Sequence, residues 1–296
     1  MMVREPVVAG SFYPADEHDC RGSLDRCFDG VSAAVVDGRI VGGVLPHAGW
    51  MCSGRIVARV FATIAAQRSP RTVVLLGAVH RVKGWEGAIF ANGRWDTPLG
   101  SIDIDQRLAD RILSHTNAIV DDPYAHEPEH SIEVEVPFVQ RTWPEAKLLP
   151  IMVPPSERAA EIGDAVGRTL ASYGYDAVVL ASSDLTHYGE RYRFTPEGRD
   201  ERGLDWAKSV NDRRVIDLML AMDAKQIVPE TTARRNACGG GAIAATIAAC
   251  SAMGADRAVL VEHATSRETM GMMREMNAVG YAGLVFAASA ALKVNE

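Results

Sequence analysis

The sequence has few cysteines and no pattern that would join them. Five occur in 296 residues, and none of them form a C-x-x-C pair: Cys20, Cys27, Cys52, Cys238 and Cys250. This scattered, odd-numbered set fits neither a disulfide framework nor a structural zinc motif, and it is typical of a reducing compartment. We therefore expect a cytoplasmic protein.

A surplus of positive charge and a convincing membrane segment are also missing. Lys and Arg number 31 against 38 Asp and Glu, so the net charge is −7 and the chain lacks the basic stripe of a nucleic-acid interface. The longest uncharged stretch, Met276–Leu292, is rich in Gly, Ala and Ser, and a buried strand plus a short helix explains it better than a membrane span. Arg4 and Glu5 stand where a signal peptide would carry its apolar run. We expect no nucleic-acid partner and no membrane partner.

Several common catalytic motifs are absent. The sequence contains no G-x-S-x-G elbow, no P-loop, no G-x-G-x-x-G after a strand and no H-E-x-x-H, and the run Gly239–Gly241 is too short for a dinucleotide fingerprint. A serine hydrolase, an NTPase, a Rossmann dehydrogenase and a zincin are therefore not expected.

Apolar residues make up 47% of the chain, and no linker or repeat divides it, so we expect one domain over residues 1–296. Strands are predicted at Val41–Leu45, Thr72–Leu76, Glu86–Ala91, Ala146–Val153, Asp176–Ala181, Ala258–His263 and Val279–Phe286. Helices are predicted at Gly54–Gln67 (capped by Ser53), Asp105–His115, Glu157–Tyr173, Arg199–Asp223 and Gly239–Met253. This alternation predicts an α/β fold with a central mixed or mostly parallel sheet flanked by helices. Ser131–Val136 stays open, because its apolar–acidic alternation suits a strand whereas Ser131 could start a helix.

Polar residues follow three of the predicted strands. His47 comes after Val41–Leu45, His80 after Thr72–Leu76, and Asp184 with His187 after Asp176–Ala181. Ligands bind beyond the carboxyl ends of the strands in open α/β sheets, so these side chains should converge. Imidazoles suit iron, zinc and copper better than Mg²⁺ or Ca²⁺.

Each candidate also has a plain structural interpretation. Cys238 precedes a helix whose N-terminus would favour a thiolate ligand, but spacing alone slightly favours a small core residue. Asp184 and His187 could share a cavity, with His187 as a general base, or could form an Asx-type turn. Glu129, His130 and Glu133 could orient metal ligands from behind or simply begin a helix.

At these residues the sequence resembles the Memo family, which includes bacterial proteins called AmmeMemoRadiSam system protein B. The resemblance covers nearly the whole chain and rests on ordered blocks: 8–13, 46–50 with 53–54, 76–80, 96–100, 129–133, 182–189 and 238–239. It implies the fold of the class III extradiol (LigB-type) dioxygenases and metal ligands at His47, His80 and Cys238. It also implies that His187 is an acid/base residue beside Asp184, and that 129–133 begins a helix.

Two positions depart from the pattern. The family often has two adjacent histidines where this chain has His80-Arg81. LigB-type iron dioxygenases use two histidines and a carboxylate, whereas here the third ligand would be the Cys238 thiolate, which changes the charge donated and the metal preferred.

Three functional hypotheses follow. The first is a metal-dependent redox enzyme, dioxygenase-like, with iron or copper ahead of zinc and a small organic substrate. The second is a non-catalytic protein that sequesters a metal or binds a peptide or protein partner, and the third is a metal-free pocket for a small acidic ligand. The family name also implies an association with an AMMECR-type protein and a radical S-adenosylmethionine enzyme.

Overall fold

The strands and helices follow the alternation of apolar and amphipathic segments in the sequence. The computed structural model describes residues 2–80 and 86–289. The strands are β1 (Val3–Arg4), β2 (Arg39–Leu45), β3 (Thr72–Gly77), β4 (Gly87–Ile89), β5 (Arg94–Thr97), β6 (Gly100–Asp103), β7 (Ile119–Asp121), β8 (Lys147–Met152), β9 (Ala177–Ser182), β10 (His187–Tyr188), β11 (Arg257–Thr265) and β12 (Ala278–Ala288). The α-helices are α1 (Glu17–Phe28), α2 (Trp50–Ala65), α3 (Gln106–His115), α4 (Val136–Thr142), α5 (Ala159–Ser172), α6 (Glu201–Trp206), α7 (Arg213–Leu220), α8 (Ala224–Arg234), α9 (Gly240–Ala252) and α10 (Ser266–Thr269).

The main sheet has the order β10-β12-β2-β9-β3-β8-β4-β7, with β11 also paired to β12. Its centre, β2-β9-β3-β8, is parallel, whereas β12 joins β2 and β4 joins β8 in the antiparallel sense. The parallel strands are buried along nearly their whole length, as expected for strands covered on both faces. The predicted α/β fold with a mixed sheet is confirmed.

Helices flank the sheet. The nearly all-apolar α9 packs on β2, β3 and β9, with α5 and α8 outside it, whereas α2 packs on β2 and β12 together with α1 and α4. Glycine permits a very close α5–α9 contact, because a Cβ on Gly163 would lie 1.9 Å from the carbonyl oxygen of Ala245. A small second sheet, β1-β5-β6, carries the N-terminal residues. The described residues contain no helix that is both long and apolar enough to cross a membrane.

Two local predictions need correction, and the structure also decides between the two alternatives left open for Ser131–Val136. The helix predicted at Gly54–Gln67 begins earlier, at Trp50, and Ser53 is not its cap: its hydroxyl donates to the carbonyl oxygen of Ala48 at 3.1 Å. Ser131–Val136 is not a strand, and its last residues form a short 3₁₀ turn (Glu133–Glu135) and the start of α4. Pro137 is accommodated because it occupies the first turn of α4, where no hydrogen bond from its nitrogen is needed.

The predicted helix Arg199–Asp223 is present as α6 and α7, joined by a π-helical turn over Ala207–Asp212. That turn carries two buried residues against the loop after β9. The Asp212 carboxylate accepts a hydrogen bond from the backbone nitrogen of Thr186, and the Asn211 amide donates to the Thr186 hydroxyl. Such π turns are frequent next to functional residues, and this one holds the segment between Asp184 and His187.

Candidate metal centre

Three adjacent parallel strands deliver their C-terminal residues to one place. β2, β9 and β3 are neighbours, and the residues that follow them meet as expected from the topology. The His47 and His80 rings lie 5.2 Å apart, centroid to centroid, at 90°. The backbone nitrogen of His47 donates to Asp184 Oδ1 at 2.8 Å. The predicted convergence of His47, His80 and Asp184 is confirmed.

The environment of His47 determines which ring nitrogen is free. Its Nδ1 lies 2.8 Å from Ser182 Oγ, and that hydroxyl donates its own hydrogen to the carbonyl oxygen of Ser131 at 2.6 Å. Ser182 must therefore accept from His47, which places the ring hydrogen on Nδ1 and leaves a lone pair on Nε2. Burial lowers the pKa of His47 to about 4, so the ring is neutral at pH 7.

His80 is oriented in the same way by a carboxylate. Glu129 is buried, and its Oε1 lies 2.9 Å from His80 Nδ1 while its Oε2 accepts from the backbone nitrogen of His80 at 2.9 Å. Burial alone would raise the pKa of Glu129, but its hydrogen bonds with His80 and Ser131 hold it well below the usual value. A carboxylate behind a histidine fixes the ring and frees the other nitrogen, as it does at metal sites.

His130 lies among the other two imidazoles. Its ring stacks on His80 at 4.8 Å and meets His47 edge-on at 5.4 Å, and one ring nitrogen from each of His47, His80 and His130 lies within 4.8 Å of the others. The sequence interpretation had placed His130 behind the ligands. The 130–132 turn reaches this position because Gly77 has no side chain: a Cβ there would lie 2.5 Å from Ile132 Cγ1.

Cys238 joins this group from the start of α9. Its Sγ lies 3.2 Å from His47 Nε2, and its backbone nitrogen donates to the carbonyl oxygen of Asp184 at 3.2 Å. The expectation of a thiol ionised by the helix N-terminus is wrong for the metal-free protein, because burial and the Asp184 charge raise the pKa of Cys238 far above its ordinary value. A cation bound at Sγ would stabilise the thiolate.

Asp184 and His187 lie at the edge of the imidazole cluster. Burial would raise the pKa of Asp184, but His47 and His187 bring it below the ordinary value, so the group is an anion. His187 Nε2 is 3.9 Å from Asp184 Oδ2 and has no hydrogen-bond partner in the part of the chain that the structure describes, although the atom is buried. The ring itself is 40% exposed and packs against Tyr192 at 5.1 Å.

Glu133 has a different set of contacts. Its carboxylate accepts from the Tyr13 hydroxyl at 2.8 Å and from the backbone nitrogens of Val7 and Val8, and it pairs with Arg4 at 2.9 Å. These contacts hold the N-terminal residues 4–13 beside the cluster. In this segment the Phe12 ring packs on the His130 ring, with their centroids 4.8 Å apart. The sequence showed residues 8–13 only as a matched block and suggested no role for them.

Ser182 and Arg81 complete the comparison with the sequence. Ser182, the partner of His47, was not predicted, although it is the first residue of the matched block 182–189 and stands two residues before Asp184. Arg81, which replaces the family's second histidine, lies outside the described residues.

Comparisons with known proteins agree with one another. A family model described as "Memo-like protein" matches residues 4–285. A MEMO1 family protein of Methanopyrus kandleri is 36% identical over 297 residues, covering 96% of this chain and 99% of its own. Another, from Methanosarcina acetivorans, is 38% identical over 291 residues with the same coverage. The crystal structure of an uncharacterized Escherichia coli K12 protein shares the fold, with a TM-score of 0.55 at 13% identity over 83% of this chain and 99% of that one.

Proposed function

The chain belongs to the Memo family, and from this premise we propose that it is a metal-dependent redox enzyme, dioxygenase-like, acting on a small organic substrate. One observation carries the proposal: three imidazole nitrogens lie within 4.8 Å of one another, and the Nδ1 partners of His47 and His80 leave their Nε2 lone pairs free. The family shares its fold with the LigB-type dioxygenases, which is why the reaction class is proposed by analogy.

We propose His47, His80 and Cys238 as the ligands of one ion. Around a tetrahedral ion with bonds of zinc-site length, a nitrogen and a sulfur ligand are about 3.6 Å apart. The 3.2 Å between Cys238 Sγ and His47 Nε2 is close to that spacing. His130 is the competing third ligand, and it would give an all-imidazole set.

An imidazole–thiolate donor set suits iron, copper and zinc, and the proposed redox activity requires iron or copper because Zn²⁺ has no redox chemistry. When bound, such an ion would act as a Lewis acid and an electron-transfer centre. His187 would move a proton to or from the substrate, because its Nε2 is buried, unpartnered among the described residues and next to the cluster. Asp184 would orient His187 and stabilise its protonated form.

Elemental analysis of protein purified without a histidine tag tests the metal site. Wild type and His18→Ala, a change at an exposed imidazole, should retain about one equivalent of metal, and His47→Ala should lose it. Comparing Cys238→Ser with His130→Ala identifies the third ligand. Equal, substoichiometric metal in every variant would contradict the site.

Oxygen consumption tests the reaction class separately. We expect O₂ uptake with catechol-type substrates by the metal-loaded protein, and a His187→Ala variant that keeps its metal but loses at least tenfold in rate. Metal-loaded wild type that consumes no O₂ with any such substrate would leave the metal site standing and refute the dioxygenase analogy.

The non-catalytic alternative has one observation in its favour. His47, His80, His130 and Cys238 together could give four ligands, and closed four-ligand sites are typical of structural or storage sites rather than catalytic ones. Tight metal binding without turnover, weakened by both His130→Ala and Cys238→Ser, would support sequestration. We also propose a cytoplasmic location and association with an AMMECR-type protein and a radical S-adenosylmethionine enzyme, to be tested by co-purification.

A further inference from the structure

Methionine is concentrated in one short surface segment. Four of the eleven methionines lie within seven residues directly after α10: Met270, Met272, Met273 and Met276. Met272 is 47% exposed, Met273 57% and Met276 38%. Methionine is ordinarily among the buried residue types, so neither packing nor solubility accounts for several thioethers displayed together.

A cysteine from a distant part of the chain meets this segment. Cys52, on α2, places its Sγ 3.3 Å from Met270 Sδ. Cys52, Met270 and Met272 line the same cavity of about 320 Å³, which two tyrosines, Tyr192 and Tyr281, also line. Three residues with soft sulfur atoms, one on α2 and two in the segment after α10, thus line one cavity.

This cavity is separate from the imidazole cluster. Neither His47 nor His80 nor Cys238 lines it, and the connection between the two is indirect, through Tyr192, whose ring contacts the His187 ring at 5.1 Å. An ion held by the sulfur atoms would therefore be a second ion, one side chain away from the proposed acid/base residue.

We propose that Cys52, Met270 and Met272 form a binding site for a soft monovalent cation, Cu(I). Thiolate and thioether ligands select Cu(I), whereas Mg²⁺, Ca²⁺ and Mn²⁺ require oxygen. Binding forms a bond between the ion and Cys52 Sγ as the thiol hydrogen leaves to solvent as a proton, and the thioethers bind through lone pairs. The ion keeps its oxidation state, so no electron donor or acceptor is required.

The Cys52–Met270 pair needs only a small adjustment to bind one ion. Two sulfur ligands of a tetrahedral ion with bonds of about 2.3 Å are about 3.8 Å apart, so Cys52 Sγ and Met270 Sδ must separate by about half an ångström from their present 3.3 Å. A methionine side chain has three rotatable bonds and adapts readily.

The charges around the cavity do not oppose a cation strongly. Arg191 and Arg267 also line it, but Arg267 forms a two-pronged ion pair with Glu201. The carboxylate of Glu275 lines the cavity as well.

Titration with Ag(I), a redox-stable probe of soft sites, and with Cu(I) in competition with bicinchoninate tests the proposal in thiol-free buffer. We expect the double variant His47→Ala/Cys238→Ser, whose imidazole site is disabled, to bind one equivalent. Adding Cys52→Ser, or Met270→Leu together with Met272→Leu, to this variant should weaken that binding at least tenfold. Met253→Leu, a half-buried methionine at the end of α9, is the matched control and should bind like wild type.

Methyl-¹³C methionine NMR provides a readout that does not depend on activity. On addition of one equivalent of Ag(I) to the His47→Ala/Cys238→Ser protein, the Met270 and Met272 methyl signals, assigned from the leucine variants, should shift while the Met253 signal stays. Leucine is close to methionine in volume, and matching circular dichroism will show that the variants fold. Unchanged affinity in the sulfur variants, or Ag(I) shifts confined to other methionines, would overturn the proposal.

Discussion

Replacing Glu129 with glutamine should strongly destabilise the protein and weaken its metal site, because this carboxylate accepts four hydrogen bonds. Oε1 receives them from His80 Nδ1 at 2.9 Å and from the backbone nitrogens of His130 and Ser131 at 2.9 and 3.0 Å, and Oε2 receives one from the backbone nitrogen of His80 at 2.9 Å. A glutamine would keep its oxygen on the side with three donors and turn its NH₂ group toward the His80 N–H. One hydrogen bond is lost, two donors face each other, and three bonds lose their charge.

Hydrogen bonds to charged groups contribute about 1.5–3 kcal/mol, against about 0.5–1.5 kcal/mol for neutral pairs. Losing one such bond (about 2 kcal/mol) and weakening three others by about 1 kcal/mol each should lower the free energy of unfolding by about 5 kcal/mol. Removing a carboxylate behind a ligand histidine should also lower metal affinity about 10- to 100-fold. Urea unfolding of the metal-free protein at pH 7 and metal competition titrations measure the two effects.

Glu127→Gln is the matched control, because Glu127 is exposed and lies two residues away in the same turn. It should stay within about 0.5 kcal/mol of wild type, as surface changes usually do. If Glu129→Gln were as stable as this control and bound metal equally well, the Glu129 carboxylate would not be required to orient His80, and the prediction would be refuted.

Three further changes test other parts of the structure. Burial raises the pKa of Glu135 well above its usual value, whereas in the unfolded chain this carboxyl ionises near pH 4.3. Above that pH the wild type should therefore lose unfolding free energy relative to Glu135→Gln, by up to about 1.4 kcal/mol per pH unit. Equal pH profiles of the unfolding free energy would contradict this. In chemical unfolding, Gly163→Ala should lower the free energy of unfolding by about 1–3 kcal/mol, because its Cβ would clash with α9. Gly22→Ala, on α1, where the added Cβ meets no close contact, should raise it by about 0.5–1 kcal/mol. A change of the same sign in both variants would exclude the clash. Ser182→Ala removes the partner of His47 Nδ1 and should weaken metal binding about tenfold, and unchanged affinity by titration would show that the hydroxyl does not fix the ring.

Topology made most of the site predictable. His47, His80 and Asp184 each follow a short buried strand, and parallel strands place their carboxyl ends at one edge, so the convergence could be reasoned from apolar runs alone. His130 follows a turn and not a strand, so the apolar pattern of the sequence did not predict that it lies in the cluster. It reaches the cluster only because Gly77 admits the turn so closely, and that contact joins residues more than fifty positions apart.

Other errors also came from contacts distant in sequence. The thiolate expected at Cys238 depended on a nearby helix N-terminus, whereas burial beside Asp184 determines its protonation. The π turn at Ala207–Asp212 carries Asp212, which accepts a hydrogen bond from the backbone nitrogen of Thr186. Helix periodicity in the sequence does not indicate such a turn. The small sheet β1-β5-β6 pairs strands of two to four residues, too short for alternation to reveal.

The ion pair between Arg4 and Glu133 has a consequence for synthesis of the chain. Arg4 is synthesised before the carboxylate that binds it, which follows 129 residues later in the chain. At about 5–20 residues per second, the N-terminal segment waits roughly 6 to 26 s for its partner. Cys238 arrives later still, so a nascent chain exposes His47 and His80 to cellular metals well before the pocket that would hold an ion is complete.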